Sequence, residues 1–144
     1  MKCCCAAVLL AVALASLTGC GGTGPPMGEP IYNSDEHGIR FDGLYVDRQA
    51  NSSMFLRFYP DGVCVWAEGN TTAEGIARYM IRSHHESTAG TFEISGKTVT
   101  ASVGELEYEG AIDKGKIYME VYNVTTEGWE ERTYRFAEVE LPNR

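Results

Sequence analysis

The stretch "MFLRFYPDGVCVWAEG", residues 54–69, decides the fold. Tyr59-Pro60-Asp61-Gly62 reads as a type I turn with proline at its second position, and Gly62 is placed to take the left-handed conformation of a G1 bulge. With that turn Tyr59 faces Val63, Phe58 faces Cys64 and Leu56 faces Trp66. Met54, Leu56, Phe58, Cys64 and Trp66 then share one nearly apolar face, which is the expected core face of an antiparallel hairpin. The register buries Cys64, so its thiol reads as a small hydrophobe and not as a nucleophile.

Two more hairpins follow downstream. "GTFEISGKTVTASV", residues 90–103, turns at Ser95-Gly96 or at Gly96-Lys97, and either register puts Phe92, Ile94, Val99, Ala101 and Val103 on one face. "ELEYEGAIDKGKIYMEVYN", residues 105–123, has Lys114-Gly115 as a two-residue turn, with Ile112 opposite Ile117, Gly110 opposite Met119, Tyr108 opposite Val121 and Asp113 opposite Lys116. The other face of this hairpin carries Glu105, Glu107, Glu109, Tyr118, Glu120 and Tyr122 and reads as wet and acidic. "GIRFDGLYV" (38–46) and "RTYRFAEVEL" (132–141) supply the bracketing strands. In the latter, Tyr134 and Phe136 alternate before the pattern slips to Val139 and Leu141, which predicts a bulge near Ala137. Between the first hairpin and the second, Thr71 and Glu74 fit a capping box, and Ile76, Tyr79 and Met80 have helical spacing, so a short helix is expected over 72–82 although Gly75 weakens it.

Eight strands and one helix in about 100 residues must hide their sheet edges, and closure into an antiparallel barrel does so most completely. The expected fold is mainly β: a single eight-stranded meander or lipocalin-like barrel over residues 39–141, with an open, strongly curved sheet as the alternative.

The N-terminus is of another kind. Lys2 precedes "CCCAAVLLAVALASL", residues 3–17, an uncharged run too short to span a bilayer, as expected of a secretory signal peptide. It ends in Leu17-Thr18-Gly19-Cys20, which resembles the lipobox of bacterial lipoproteins. The resemblance implies cleavage after residue 19, recognition of Leu17, Thr18 and Gly19 by the signal peptidase, and lipidation of Cys20. Two or more acyl chains hold stably where one binds only marginally. Gly21, in place of the aspartate that resembles an inner-membrane retention signal, favours the periplasmic side of an outer membrane. Residues 21–38, beginning "GGTGPPMGEP", read as a flexible tether.

Removing residues 1–19 leaves 125 of the 144 residues, and with Lys2 gone the formal charge of −8 becomes −9. An acidic surface disfavours nucleic acid and anionic headgroups. Cys3, Cys4 and Cys5 leave with the signal and Cys20 carries lipid, so Cys64 is alone and no internal disulfide is expected.

Within the domain, "LRFYPDG", "AEGIARYM", "GTFEISG", "ELEYEGAI" and "RTYRF" occur in an order that resembles a group of small bacterial envelope proteins with a lipocalin-like β domain. Gly43-Leu44-Tyr45 resembles the Gly-x-Trp of lipocalins, with Tyr in place of Trp. The resemblance speaks to the fold and brings no catalytic residue with it.

Motifs for chemistry are sparse. His84-His85-Glu86 lacks the i, i+4 spacing of a helical zinc site and reads as a solvated loop; His37 lies near the tether. No G-x-S-x-G elbow occurs. Glu105, Glu107 and Glu109 stand at strand spacing, which suits an acid/base pair less well than a solvated face. The sequons at Asn51, Asn70 and Asn123 fall in turn-rich polar segments. In "NVTTEGWEER", residues 123–132, Trp129 stands among charges in an expected loop, and Trp129, Tyr118 and Tyr122 are the candidate contact residues.

No cofactor or metal and no enzymatic activity are expected. The first reading is a lipid-anchored binding module that holds a small apolar ligand or an envelope protein. It loses its ligand cavity if Phe58, Trp66, Phe92, Tyr108 and Phe136 fill the barrel. The alternative is an envelope assembly protein with a solid core that acts through its surface.

Overall fold

The computed structural model describes residues 28, 30–82 and 89–142. Eight antiparallel strands run in chain order and close into a barrel: β1 (Gly43–Arg48), β2 (Ser53–Phe58), β3 (Val63–Gly69), β4 (Ala89–Ser95), β5 (Thr98–Val103), β6 (Leu106–Asp113), β7 (Lys116–Asn123) and β8 (Gly128–Glu138), with β8 returning to β1. The predicted registers of the first and third hairpins hold. Phe58 pairs with Cys64 and Leu56 with Trp66, while Ile112 pairs with Ile117 and Asp113 with Lys116. Gly62 has φ +85°, and the Tyr59 N–H donates to the Val63 carbonyl at 2.8 Å. In the second hairpin Ser95 pairs with Thr98, so the turn is Gly96-Lys97, with Gly96 at φ +61° where a type II′ turn needs glycine.

Three expectations change. The β1–β8 ladder keeps one register from Gly43–Glu138 to Val46–Arg135, so no bulge lies near Ala137. The pattern slips there because Ala137, Val139 and Leu141 join a second apolar cluster on the outside of the barrel. The helix is shorter than 72–82: α2, taking second place in chain order, spans Ala73–Ala77, and its N-cap is Thr72, whose side chain accepts from the Gly75 N–H at 3.1 Å. A four-residue helix, α1 (Ser34–His37), precedes β1, capped by Asn33 and ended by Gly38 at φ +71°.

Two clusters hold the fold. The first fills the barrel. The second covers the outer face of β1–β3, where Leu44, Val46, Phe55, Val65 and Ala67 pack against Ala73, Ala77 and Met80 of the α2 segment. The near-continuous apolar runs of β1 and β3 are what strands buried on both faces require. The α2 segment is latched by polar contacts. Arg57 donates to the Met80 carbonyl at 2.8 Å, Arg57 and Arg82 lie 4.5 and 4.3 Å from the Tyr59 ring centroid, and Arg82 pairs with Asp61. The Gly28 N–H also donates to Asp61, at 2.8 Å.

Burial alone raises the Asp61 pKa, but the Arg82 guanidinium and the Gly28 N–H together hold its carboxyl below the ordinary carboxylate value. A carboxylate depressed in the folded state contributes stability that is present above the unfolded pKa, near 3.9, and lost as pH falls through the folded value. Asp61→Asn is therefore expected to cost about 2–3 kcal/mol at neutral pH. It should also flatten the acid limb of the stability curve below about pH 4. Denaturant titrations across pH check this, and a variant curve running parallel to that of the parent would refute it.

The barrel ends are closed differently. At the end bearing the Pro60-Asp61, Gly96-Lys97 and Lys114-Gly115 turns, Ile39 is buried, Tyr32 stacks on Phe92 at 5.1 Å, and the Ile31 and Tyr32 N–H groups donate to the Pro60 carbonyl. Part of the expected tether thus packs onto the barrel.

Candidate functional site

Alternation along a strand sends every second side chain inward. Phe58, Phe92 and Tyr108 point inward and are buried, and Trp66 and Phe136 pack against them half-buried, so all five side chains named above occupy the interior. An eight-stranded barrel is only just wide enough for its own side chains or one small ligand. Cys64 lies among them fully buried, and desolvation pushes its thiol up to about 12, which leaves it protonated and inert.

At the barrel end opposite the Pro60 turn, the interior becomes polar. Arg132, on an inward position of β8, pairs with Asp47 at 3.3 Å and with Glu130. Beneath this cluster the Tyr108 and Tyr134 hydroxyls and the Trp66 indole N–H are buried without a hydrogen-bond partner among the described residues. Burial raises the pKa of both tyrosines, so they stay neutral.

The outer face of β4–β8 is exposed and is organised in cross-strand rows. One row runs Glu93, Thr100, Glu109, Glu120, Glu131; the next runs Thr91, Ser102, Glu107, Tyr122, Trp129. On the other side of the glutamate row lies Tyr118, opposite Thr133. Trp129 is 67% exposed and Tyr118 47%. The Trp129 and Tyr122 rings lie 4.7 Å apart, tilted by 36°. Trp129 therefore belongs to β8 and not to a loop. The sequence signal failed because its neighbour Glu130 and then Arg132 face inward, so charge stands on both sides of the strand. Two open grooves flank Glu109: one of about 370 Å³ reaches Trp129 and Tyr122, the other of about 480 Å³ reaches Tyr118, Glu120 and Glu131.

Glu109, Glu120 and Glu131 are direct cross-strand neighbours, and like charges so placed are destabilising by about 0.5 kcal/mol a pair. Among the described residues no Lys or Arg forms an ion pair with them, and no group of three His, Cys, Asp or Glu side chains is placed to hold a metal ion. Glu105 differs from Glu107 and Glu109 in lying in the β5–β6 turn, where it contacts the Thr125 hydroxyl. The candidate contacts Trp129, Tyr118 and Tyr122 are thus brought onto one face. Leu17, Thr18, Gly19, Cys20 and the His84-His85-Glu86 cluster lie outside the described residues. No helix among the described residues is long and apolar enough to cross a membrane.

The fold and this face define a closed eight-stranded antiparallel barrel with a packed interior and an acidic, aromatic outer sheet. Set against family models, curated proteins and solved structures, the chain finds no match.

Proposed function

We propose that this chain is a non-enzymatic, lipid-anchored protein of the bacterial cell envelope, tethered through Cys20 at the periplasmic face of an outer membrane, and that it binds a partner protein on the outer face of β4–β8. The observation that carries the binding reading is the contrast between the two faces of β7 and β8. Ile117, Met119, Val121 and Tyr134 are buried inside, while Trp129, Tyr122 and Tyr118 stand outside on strands that need no such rings for their own packing. Exposed aromatic residues on a rigid sheet are the kind that anchor interfaces. The anchor rests on the lipobox resemblance, and the non-enzymatic reading rests on the sparse motifs and the inert Cys64.

A photo-cross-linking residue placed at position 129 of the full chain in a bacterial host tests both parts. One discrete, membrane-associated adduct is expected from position 129 and none from Gln49 on the β1–β2 turn. With Cys20→Ser the protein should move to the soluble fraction. Equal adducts from both positions would refute the binding face, and unchanged membrane association of Cys20→Ser would refute the anchor.

A further inference from the structure

We infer that the partner surface recognised by this face is cationic: an exposed segment bearing spaced Lys or Arg side chains, bound across the glutamate row with its cations against the flanking rings. This rests on the reading that the outer face of β4–β8 is the binding face. The two rows through Glu93 and Thr91 contain five exposed glutamates, Glu93, Glu107, Glu109, Glu120 and Glu131, and no basic residue. Arg40 pairs with Asp42 and Glu138, Arg82 with Asp61 and Arg132 with Asp47 and Glu130, while Lys116 and Arg135 face each other at outward positions of β7 and β8, beside Asp113 and two rows away from the glutamates. The two rows through Glu93 and Thr91 are therefore of a single sign, and no ion pair among the described residues neutralises their glutamates.

Geometry favours an extended cationic segment over a single ion. Adjacent strands are about 4.8 Å apart, so Glu109, Glu120 and Glu131 form a row about 10 Å long, a line of charge and not a chelating cup. Trp129 and Tyr122 border the row on one side and Tyr118 on the other. Their ring faces attract ammonium and guanidinium groups that the carboxylates have drawn in. Two grooves separated by Glu109 give such side chains places to lie. A neutral or acidic partner would meet the same row as repulsion or as uncompensated desolvation, so the glutamates select as well as attract.

The full chain, purified in detergent, is titrated with a fluorescent peptide of alternating lysine and threonine and with its glutamate–threonine counterpart. Saturable binding of the lysine peptide alone is expected, weakening as salt rises to about 0.15 M. Glu109→Gln/Glu120→Gln/Glu131→Gln should lower affinity about tenfold or more, and Trp129→Ala about fivefold. The triple variant loses three like-charge neighbours, so it should melt at or above the temperature of the parent; lost binding then reports lost charge and not unfolding. Equal binding of both peptides, or undiminished affinity in the triple variant, overturns the proposal. So does saturation of the Trp129 fluorescence change by calcium or spermidine while the lysine peptide fails to bind. If any of these occurs while the adduct from position 129 persists in cells, the face is a binding face for a partner of other chemistry. If the adduct is absent as well, both readings fall.

Discussion

Replacing Phe58 by alanine is expected to lower stability by about 3–5 kcal/mol, among the largest effects any single core substitution produces. Phe58 is 1% exposed and its ring meets Tyr45 edge-on at 5.6 Å and Phe92 at 4.9 Å. It therefore ties the first hairpin to β1 and to β4 across the barrel interior. The wall around it is a closed hydrogen-bonded ladder, which cannot move inward without breaking strand pairing. The void left by the missing ring persists, and both the transfer term and the cavity term are paid in full. Urea denaturation measures the loss. The same variant also tests whether the barrel is filled: benzene should be taken up by Phe58→Ala, as dry engineered cavities of this kind do, and not by the parent. A loss under about 1 kcal/mol, or equal benzene uptake by the parent, would return the interior to consideration as a ligand site.

How much of this was readable in the residues depended on whether a turn or only a periodicity carried the signal. Pro60-Asp61-Gly62 and Lys114-Gly115 admit few backbone shapes, so two hairpin registers and the inward set of residues followed from them. Lys114 itself adopts φ +47° beside Gly115 at φ +78°, as a type I′ turn demands. Ser95-Gly96-Lys97 left two registers because one glycine serves either turn. The expectations at Ala137 and Trp129 differ from the structure for another reason: contrast with a neighbour assigns a side chain to a face only where the two faces differ in kind. Ala137, Val139 and Leu141 seemed out of step because the outer face of β1–β3 is as apolar as the inner one. Trp129 seemed outside the strand because Glu130 and Arg132 make the inner face as charged as the outer one at that end. The Arg57–Tyr59–Arg82–Asp61 latch joins residues up to 25 positions apart and leaves no local trace. The candidate face was legible as a list of glutamates and tyrosines at strand spacing. Its rows exist only once β7 and β8 are paired from Asn123–Gly128 onward.

That inward charge gives the second large effect. Arg132→Met is expected to cost about 3 kcal/mol, because it leaves the largely buried Asp47 carboxylate with no counter-charge, above two neutral tyrosines and an indole N–H that have no hydrogen-bond partner among the described residues. The double variant Asp47→Leu/Arg132→Met removes both charges and should recover at least half of that loss, since replacing a whole buried pair by apolar groups is close to neutral where removing one member is not. A double-mutant cycle measured by denaturation reads the coupling directly, and additive single losses would show that the pair is not a unit. The adjacent residue makes the contrast sharp. Glu131 faces outward beside Glu120, so Glu131→Gln relieves repulsion and should hold or raise stability while weakening the cationic peptide. Neighbouring charged positions on one strand are thus expected to respond with opposite sign: Arg132 closes the barrel end and fixes β8 in place, and Glu131 is displayed by the strand so fixed.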